Sequence, residues 1–396
     1  MNDASQIYDA AVIGGGPAGL TAAVALAATG AKIALLARRV PYADNRTTAL
    51  LGASTDLLER LDVWPRCRDK AAALRTMRLV DDTGRLIRAP EVRFSSDEIG
   101  LDQFGYNIDN RSLMVALEER AAGLSNLTRF DDEAVTIDPQ DELVTISTGK
   151  SDQLAARLVI GADGRQSPSR EAAGIAVSRR DLHQSALTFN ISHSRPHHGI
   201  STEFHTAQGP CVFVPLPGNR CSVVWVAATR EAERLMSLSD GELSEAAEKQ
   251  SHSILGRVEV EAGRNLFPLT IERPELFASH RVALVGESAH VVPPIGAQGL
   301  NMGLRDAADI ADIAGDALSR GEDPGSPAVL TRYQSARRAD VASRLIAIDV
   351  ANRSLLSDFL PMQSLRAVGM HLLGSFGPLR RLAMREGLAP TWKRVS

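Results

Sequence analysis

The sequence predicts an α/β fold: a Rossmann-like dinucleotide-binding domain, an inserted β-sheet domain and a C-terminal helical region. Three observations predict it. The apolar run Tyr8-Asp9-Ala10-Ala11-Val12-Ile13 leads straight into Gly14-Gly15-Gly16-Pro17-Ala18-Gly19 and a small-residue helix. A second apolar run, Val282 to Val285, ends in Gly286-Glu287 and a Pro/Gly-rich turn before another helix. Between them, from about Ser185 to Pro268, the pattern turns strand-rich.

Each element follows in order. Tyr8 to Ile13 reads as a buried strand. Gly14 to Gly19 is the turn, with Pro17 placed well in a first helical turn. Leu20 to Ala28 is a helix of small residues, stopped by Gly30, and Ala31 to Ala37 is the next strand. This β-α-β unit is the Rossmann arrangement, whose glycines allow a tight turn and close approach of a pyrophosphate. Asn45 to Leu50 reads as a polar loop before a helix, Ser54 to Leu61. Arg75 to Phe94, with the turn Asp81-Asp82-Thr83-Gly84, reads as a hairpin. Asn110-Arg111 opens a helix through Ala122. Ala134–Ile137, Leu143–Ile146 and Leu158–Ile160 read as strands, the last ending in Gly161-Ala162-Asp163-Gly164. The insert shows strands at Ala186–Ile191, Cys211–Pro215 and Cys221–Val226, interrupted by one helix, Ser239–Ser251. Helices are expected from Asn301 to Leu318 and from Ser326, as N-cap, to about Leu356.

Composition narrows the function. The chain has 396 residues, 44% hydrophobic and 23% charged, which suits a sizeable core. Its net charge of -4 gives no basic excess for nucleic acid. Cys67, Cys211 and Cys221 show neither CxxC spacing nor disulfide density, which fits a reducing compartment. No signal peptide and no apolar run of about 18 residues is visible, so a cytoplasmic protein is expected. His193, His197, His198 and His205 cluster in sequence, but their spacing falls across strands and loops; no metal site is expected. There is no GxSxG elbow, and no second glycine fingerprint gives NAD(P)H a domain of its own.

The chemistry-bearing segments point to a flavin dinucleotide held at both ends. Asp163 accepts hydrogen bonds from cofactor hydroxyls or orders its own loop. Glu287, at a strand end, is placed to accept from a ribityl hydroxyl. The segment Pro294-Ile295-Gly296-Ala297-Gln298-Gly299-Leu300-Asn301 aims a helix start at the flavin's N1/O2 edge, where negative charge accumulates on reduction. His290 is read as shaping the turn after Glu287 rather than as catalytic. The strand end lacks the usual ribose-binding acid: Ala37 stands there, followed by Arg38 and Arg39. Arg38 faces either the phosphate or adenine side of the cofactor, or solvent.

These motifs, in this order, resemble the class A flavoprotein monooxygenases built like p-hydroxybenzoate hydroxylase, and more narrowly the UbiH/UbiF-type ring hydroxylases of ubiquinone biosynthesis. Arg46-Thr47-Thr48-Ala49-Leu50 is similar to that family's Arg-x-x-Ala-Leu segment. Asn110-Arg111-Ser112-Leu113 is similar to the segment whose Arg contacts the flavin diphosphate. Pro294 to Asn301, with Gly303-Leu304-Arg305-Asp306, resembles its Pro-x-x-Gly-Gln-Gly-x-Asn loop, and Tyr333 with Arg337-Arg338-Ala339-Asp340 resembles its C-terminal region, as do Leu365-Arg366 and Met384-Arg385. The sequence departs at Glu287, where the family has Asp, at Ala297, where it has Gly, and at Ala37.

The resemblance implies FAD as cofactor, held by Gly14, Gly16, Pro17, Ala18, Gly19, Arg38, Arg46, Arg111, Asp163, Glu287 and the run Pro294 to Asn301. NAD(P)H would supply electrons, and oxygen would be transferred to an electron-rich phenolic ring. The chemistry belongs to the flavin; no catalytic side chain is assigned, and Pro294, Ile295 and Gly296 border the reaction site. The expected domains are 1–74, 101–178 and 270–345 for FAD, 75–100 and 179–269 roofing an apolar pocket for a prenylated phenol, and 346–396 as the helical region. Such a substrate is membrane-borne, so the tail's apolar and Arg residues are expected to pack on the FAD domain or to meet a ubiquinone-biosynthesis complex or the inner-membrane surface. Two other readings share the motifs: a flavin-dependent isoprenoid-chain reductase and a catalytically silent flavin-binding subunit.

Overall fold

A computed structural model of the chain describes residues 7–39, 42, 45–85, 88–294, 296–356, 368–369, 371–372 and 375–388. Its helices are α1 (Pro17–Ala28), α2 (Gly52–Arg60), α3 (Asn110–Ala122), α4 (Pro168–Ala172), α5 (Thr229–Met236), α6 (Asp240–Gln250), α7 (Gln298–Ser319), α8 (Pro327–Leu356) and α9 (Gly377–Leu388).

Three sheets organise the described strands. The first runs in the order β18 (Ala278–Ser279), β19 (Val282–Leu284), β11 (Gln153–Gly161), β1 (Ile7–Ile13), β2 (Ile33–Leu36), β8 (Leu127–Phe130), and β10 (Val144–Thr148) links β11 to β9 (Ala134–Pro139). Its central pairs are parallel: β19 with β11, β11 with β1, β1 with β2 and β2 with β8. Parallel strands are covered on both faces, which is why Ala11, Val12, Ile33, Leu35, Val159 and Ile160 are apolar without alternation and fully buried. The covering helix α1 has nine buried residues, nearly all Ala, Gly, Val or Leu. Such small side chains let α1 lie close to the sheet and to α7.

The second sheet runs in the order β16 (Val258–Val260), β12 (Val177–His193), β15 (Arg220–Ala228), β14 (Gly209–Leu216), β13 (Ile200–Thr206), β5 (Thr76–Asp81), β6 (Val92–Ser95), with β17 (Asn265–Pro274) also on β12. The hairpin expected from Arg75 to Phe94 therefore joins the sheet of the insert, through a parallel pair of β5 with β13. One face of this sheet buries Leu187, Phe189, Phe204 and Phe213 with Leu235 and Leu243 from α5 and α6. Alternation turns the intervening residues to the other face.

Four sequence expectations change. Thr47 to Leu51 is a strand, β3, not a loop; it pairs with β7 (Gly105–Asp109), which also pairs with β4 (Ala71–Leu74) in a small third sheet. Its Thr, Ala and Leu residues carry no period that betrays a strand whose partner lies more than fifty residues away. The insert holds two helices, α5 and α6, rather than one. β12 spans 17 residues, because its polar first half, Val177 to Asp181, pairs with β17 outside any apolar core. α7 starts at Gln298, three residues before the expected Asn301. In the tail, Leu365 and Arg366 lie outside the described residues.

Candidate functional site

The three glycine-bearing motifs meet at the ends of β1, β11 and β19. Gly14 has φ +113°, and a Cβ there would stand 2.2 Å from the Ala162 carbonyl oxygen. A Cβ on Gly19 would be 2.1 Å from the Gly14 oxygen and 2.9 Å from the Ala162 Cβ. Gly286 and Gly303 close on Ala18, with virtual Cβ distances of 3.0 and 3.2 Å to its methyl group. The contacts at Gly14 and Gly19 require hydrogen in place of a side chain, and those at Gly286 and Gly303 leave a methyl group little room. By contrast, nothing stands within 4 Å of a Cβ on Gly16 or Gly299. Gly16 is the N-cap of α1, Pro17 is its first residue, and no acidic side chain occupies the first turn of either α1 or α7. Both helix starts therefore present unpaired N–H groups and partial positive charge to an open backbone surface, which is the chemistry a dinucleotide's phosphates and an electron-rich flavin edge require.

The charged residues expected at the site fall into different settings. Glu287 lies on a short 3-10 turn, with its carboxylate 62% exposed and 3.5 Å from the Arg165 Nε. It remains accessible to a ligand hydroxyl. Asp163 instead orders its own loop: it accepts from Ser167 Oγ at 2.5 Å and from the Ser169 amide at 2.8 Å. Arg46 and Arg111 are both exposed and come together because the Asn110 amide donates to the Arg46 carbonyl at 2.9 Å. The Arg46 guanidinium sits 5.5 Å from the centre of the Phe267 ring. Arg38 pairs with Glu133 at 2.6 Å on the surface, while Ala37 faces the turn, its methyl 2.7 Å from where a Cβ on Gly15 would be.

The loop that begins α7 is fixed from within. Ala297 caps the helix at φ +54°, a left-handed conformation that favours glycine. Asn301 is fully buried and its carboxamide is saturated. Its oxygen accepts from the Leu51 amide and Ser54 Oγ, at 2.9 and 2.7 Å. Its nitrogen donates to Ala49 and Ala297 carbonyls, at 2.7 and 2.6 Å. The Gln298 side chain bridges the Gly296 carbonyl and Arg344 Nη1, both at 2.9 Å. Asn301 and Gln298 thus shape the loop with their side chains and leave backbone to face a ligand. Pro294, Gly296, Ala297, Gly299 and Leu300 form one wall of a cavity of about 300 Å3; the opposite wall is the second sheet, with Leu79, Val212, Val214 and Val224, and Glu203 among them. Ile295 lies outside the described residues.

Behind the loop stands a buried ionic cluster that the motifs did not announce. Arg337 is fully buried and reaches Asp306 at 2.6 Å, Asp309 at 2.7 Å and Asp340 at 2.9 Å. Asp306 also accepts from the Gly286 amide at 2.9 Å and from His290 Nε2 at 2.7 Å. Asp340 takes Arg305 and Arg344 at 2.8 and 3.0 Å. Tyr333 donates to the Leu284 carbonyl at 2.6 Å. Burial alone would raise both carboxyls, but Arg337 and His290 hold Asp306 below the usual range, and Arg305 and Arg337 hold Asp340 well below it. The signal in the sequence was the recurrence Tyr333, Arg337, Asp340, Arg344, one face of α8 at helical spacing, opposite Arg305, Asp306 and Asp309 of α7.

Three of the clustered histidines of the insert have hydrogen-bond partners, and the rings of His193 and His197 stand edge to face with centroids 5.7 Å apart. His193 contacts the Arg195 carbonyl at 2.8 Å and the Cys221 sulfur at 3.4 Å, His197 contacts the Leu216 and Gly218 carbonyls, and His205 contacts Glu203.

Residues 7–348 match the pattern that defines the FAD binding domain family. The chain belongs to this family. It is 32% identical over 394 residues to a ubiquinone hydroxylase, UbiL, of Rhodospirillum rubrum, covering 97% of this chain and 90% of that protein. It is 29% identical to the 3-demethoxyubiquinol 3-hydroxylase of Escherichia coli, over 97% of this chain and 99% of that one. Its fold is similar to the crystal structure of p-nitrophenol 4-monooxygenase from Pseudomonas putida, with a TM-score of 0.78, 21% identity and 98% of both chains covered. The family match together with the hydroxylase relatives makes the chain an FAD-dependent monooxygenase. The cradle fits FAD: glycines crowded against backbone close the turn, while open glycines and two helix starts leave room for phosphates and a flat ring.

Proposed function

We propose that the protein hydroxylates the aromatic ring of a prenylated phenol in ubiquinone biosynthesis, with NAD(P)H as electron donor. The observation that carries this reading is the near end-to-end similarity to two ubiquinone-pathway hydroxylases, over 97% of this chain in each case. Bound FAD supplies electron transfer from the donor and activation of dioxygen. The chain supplies the setting. Gly14, Gly16 and Gly19, with the start of α1, would hold the pyrophosphate. Arg46 and Arg111 would add positive charge beside it, and Glu287 would accept from a ribityl hydroxyl. Asp163 would keep the neighbouring turn in shape. Backbone from Pro294 to Leu300 would border the ring, with Asn301 and Gln298 fixing its position.

The cavity between that loop and the second sheet suits an aromatic ring. Its walls are mostly Leu, Val, Ala, Met, Pro and Gly, which exclude water, with a minority of polar residues including Asn107, Ser201 and Glu203. A prenylated substrate is membrane-borne, and the tail supplies a means of approach. Val368, Leu372, Phe376, Leu379 and Leu382 are exposed at helical spacing, accompanied by exposed Arg381 and Arg385. Such a stripe suits peripheral contact with an anionic lipid surface. Among the described residues no helix is long and apolar enough to cross a membrane.

The test is a reaction of the purified, FAD-loaded protein with NAD(P)H and short-chain prenylated phenols under labelled dioxygen. The expected product carries one labelled oxygen on the ring. NAD(P)H consumption that yields a saturated prenyl chain and no ring oxygen would replace this reading with a chain reductase.

A further inference from the structure

The sheet wall of the cavity carries one carboxylate among aliphatic neighbours. Glu203 lies on β13, in register with Val212 of β14 on one side and Leu79 of β5 on the other. Its alternation partner Phe204 points into the core beneath the sheet, so Glu203 faces the cavity. Two residues on, His205 shares that face and places Nε2 2.9 Å from Glu203 Oε1. The pair is half-buried, with side chains 18% and 14% exposed. Among the described residues no hydrogen bond reaches Glu203 Oε2. A carboxylate costs free energy beside aliphatic side chains unless it is partnered, and one of its oxygens already is.

The charged surroundings leave Glu203 as the acceptor on this wall. Arg78 also lines the cavity, but its guanidinium bonds Glu91 at 2.7 Å, on the neighbouring strand. Asp81 stands opposite His205 in register and accepts from the Thr83 and Ala89 amides. From β14 the nearest titratable group is the Cys211 thiol, pushed up by burial and by the charges of Asp82 and Glu203. Asp82 itself is 3.0 Å from His252. The loop wall, from Val292 to Leu300, brings no titratable group among its described residues.

Resting on the hydroxylase reading, we infer that Glu203, oriented by His205, is the proton acceptor for the ring hydroxyl of the phenolic substrate. A phenol is a weak acid, and the proton stays on its oxygen in the resting complex. It crosses as the ring is attacked, when electron density leaves the ring and the hydroxyl becomes strongly acidic. The O–H bond then breaks, its electron pair stays on the ring oxygen, and the proton goes to Glu203 Oε2. No oxidant or reductant is needed for this step. The Nε2–H of His205 donates to Oε1 and keeps the other oxygen turned into the cavity.

The experiment compares the parent phenol with a ring-fluorinated, more acidic analogue in the FAD-loaded enzyme. For Glu203→Gln, kcat for the parent should fall by about 10²- to 10⁴-fold. The deficit should shrink at least about tenfold with the fluorinated phenol, because a more acidic hydroxyl depends less on a base. Glu203→Asp should recover much of the rate, and FAD content should match that of the wild type. His205→Gln, a positioning change, should show a smaller deficit with the same dependence on phenol acidity. Equal deficits for both phenols would overturn the inference. If Glu203→Gln fails to hold FAD, His205→Gln decides: a deficit insensitive to phenol acidity overturns it. Wild-type enzyme that oxygenates neither phenol overturns the hydroxylase reading first, and this inference with it.

Discussion

Around Gly14, Gly19, Gly286 and Gly303 the contacts are backbone against backbone, with Ala18 and Ala162 as the largest side chains involved. Around Arg337, on the other side of the same α7, the contacts are guanidinium against three carboxylates, with Arg337, Asp306 and Asp340 fully buried and Asp309 partly exposed. Both regions hold Gly286. The cradle does so sterically, through the Ala18 methyl; the ionic cluster does so through the Asp306 oxygen on the Gly286 amide. The cradle can be built only from residues that lack bulk, and the cluster only from residues that carry charge. Shape near the ligand is thus left to the backbone, and the forces that set that shape are moved one layer back.

The comparison is broken most severely at Arg337. Arg337→Met would leave Asp306, Asp309 and Asp340 facing one another with less compensation, at a cost of about 3–5 kcal/mol. Denaturant unfolding measures it. The pH dependence gives a second readout. Asp306 and Asp340 are held below the ordinary aspartate value of 3.8, so their contribution is present above that pH and is lost as pH falls below it toward their folded values. Wild-type stability should therefore drop on acidification below about pH 4, and the slope should flatten in Arg337→Met, where the carboxyls are held down less strongly. An equally steep slope in the variant would show that other carboxylates carry the acid sensitivity.

A smaller but more local break is Gly14→Ala. Its Cβ would meet the Ala162 carbonyl in a left-handed backbone, for a combined cost of about 2–4 kcal/mol. FAD retention on a desalting column should be lost before the fold is. Retention equal to wild type would mean that the turn shifts without consequence for the cofactor.

The smallest effect sharpens the comparison rather than breaking it. Ala297 occupies φ +54° where its motif usually has glycine. A non-glycine residue there costs about 1–2 kcal/mol, partly offset by the greater freedom glycine has in the unfolded chain. Ala297→Gly should therefore raise stability by about 0.5–1 kcal/mol, read as a higher melting temperature. A lower melting temperature would show that the methyl group packs usefully against the cavity.

Much of this was legible in the residues. The strand–glycine–helix unit, the carboxylate after β19 and the loop that starts α7 are local patterns. Each depends on residues a few positions apart, and glycine spacing records the turn directly. The roles of Asn301 and Gln298 were not legible. They read as ligand contacts because they stand in the ligand loop, yet their amides are spent on Ala49, Leu51, Ser54 and Arg344. Only the arrival of β3 and α8 beside that loop uses them up.

The sequence by itself determined the α/β order and the glycine turns, because those depend on backbone freedom and short-range periodicity. Tertiary structure decided three things: that Thr47 to Leu51 becomes a strand, that Arg337 finds its carboxylates, and that Glu203 faces the cavity beneath the α7 loop. Each depends on partners far away in the chain, and a side chain's charge has no fixed meaning until the fold decides what surrounds it.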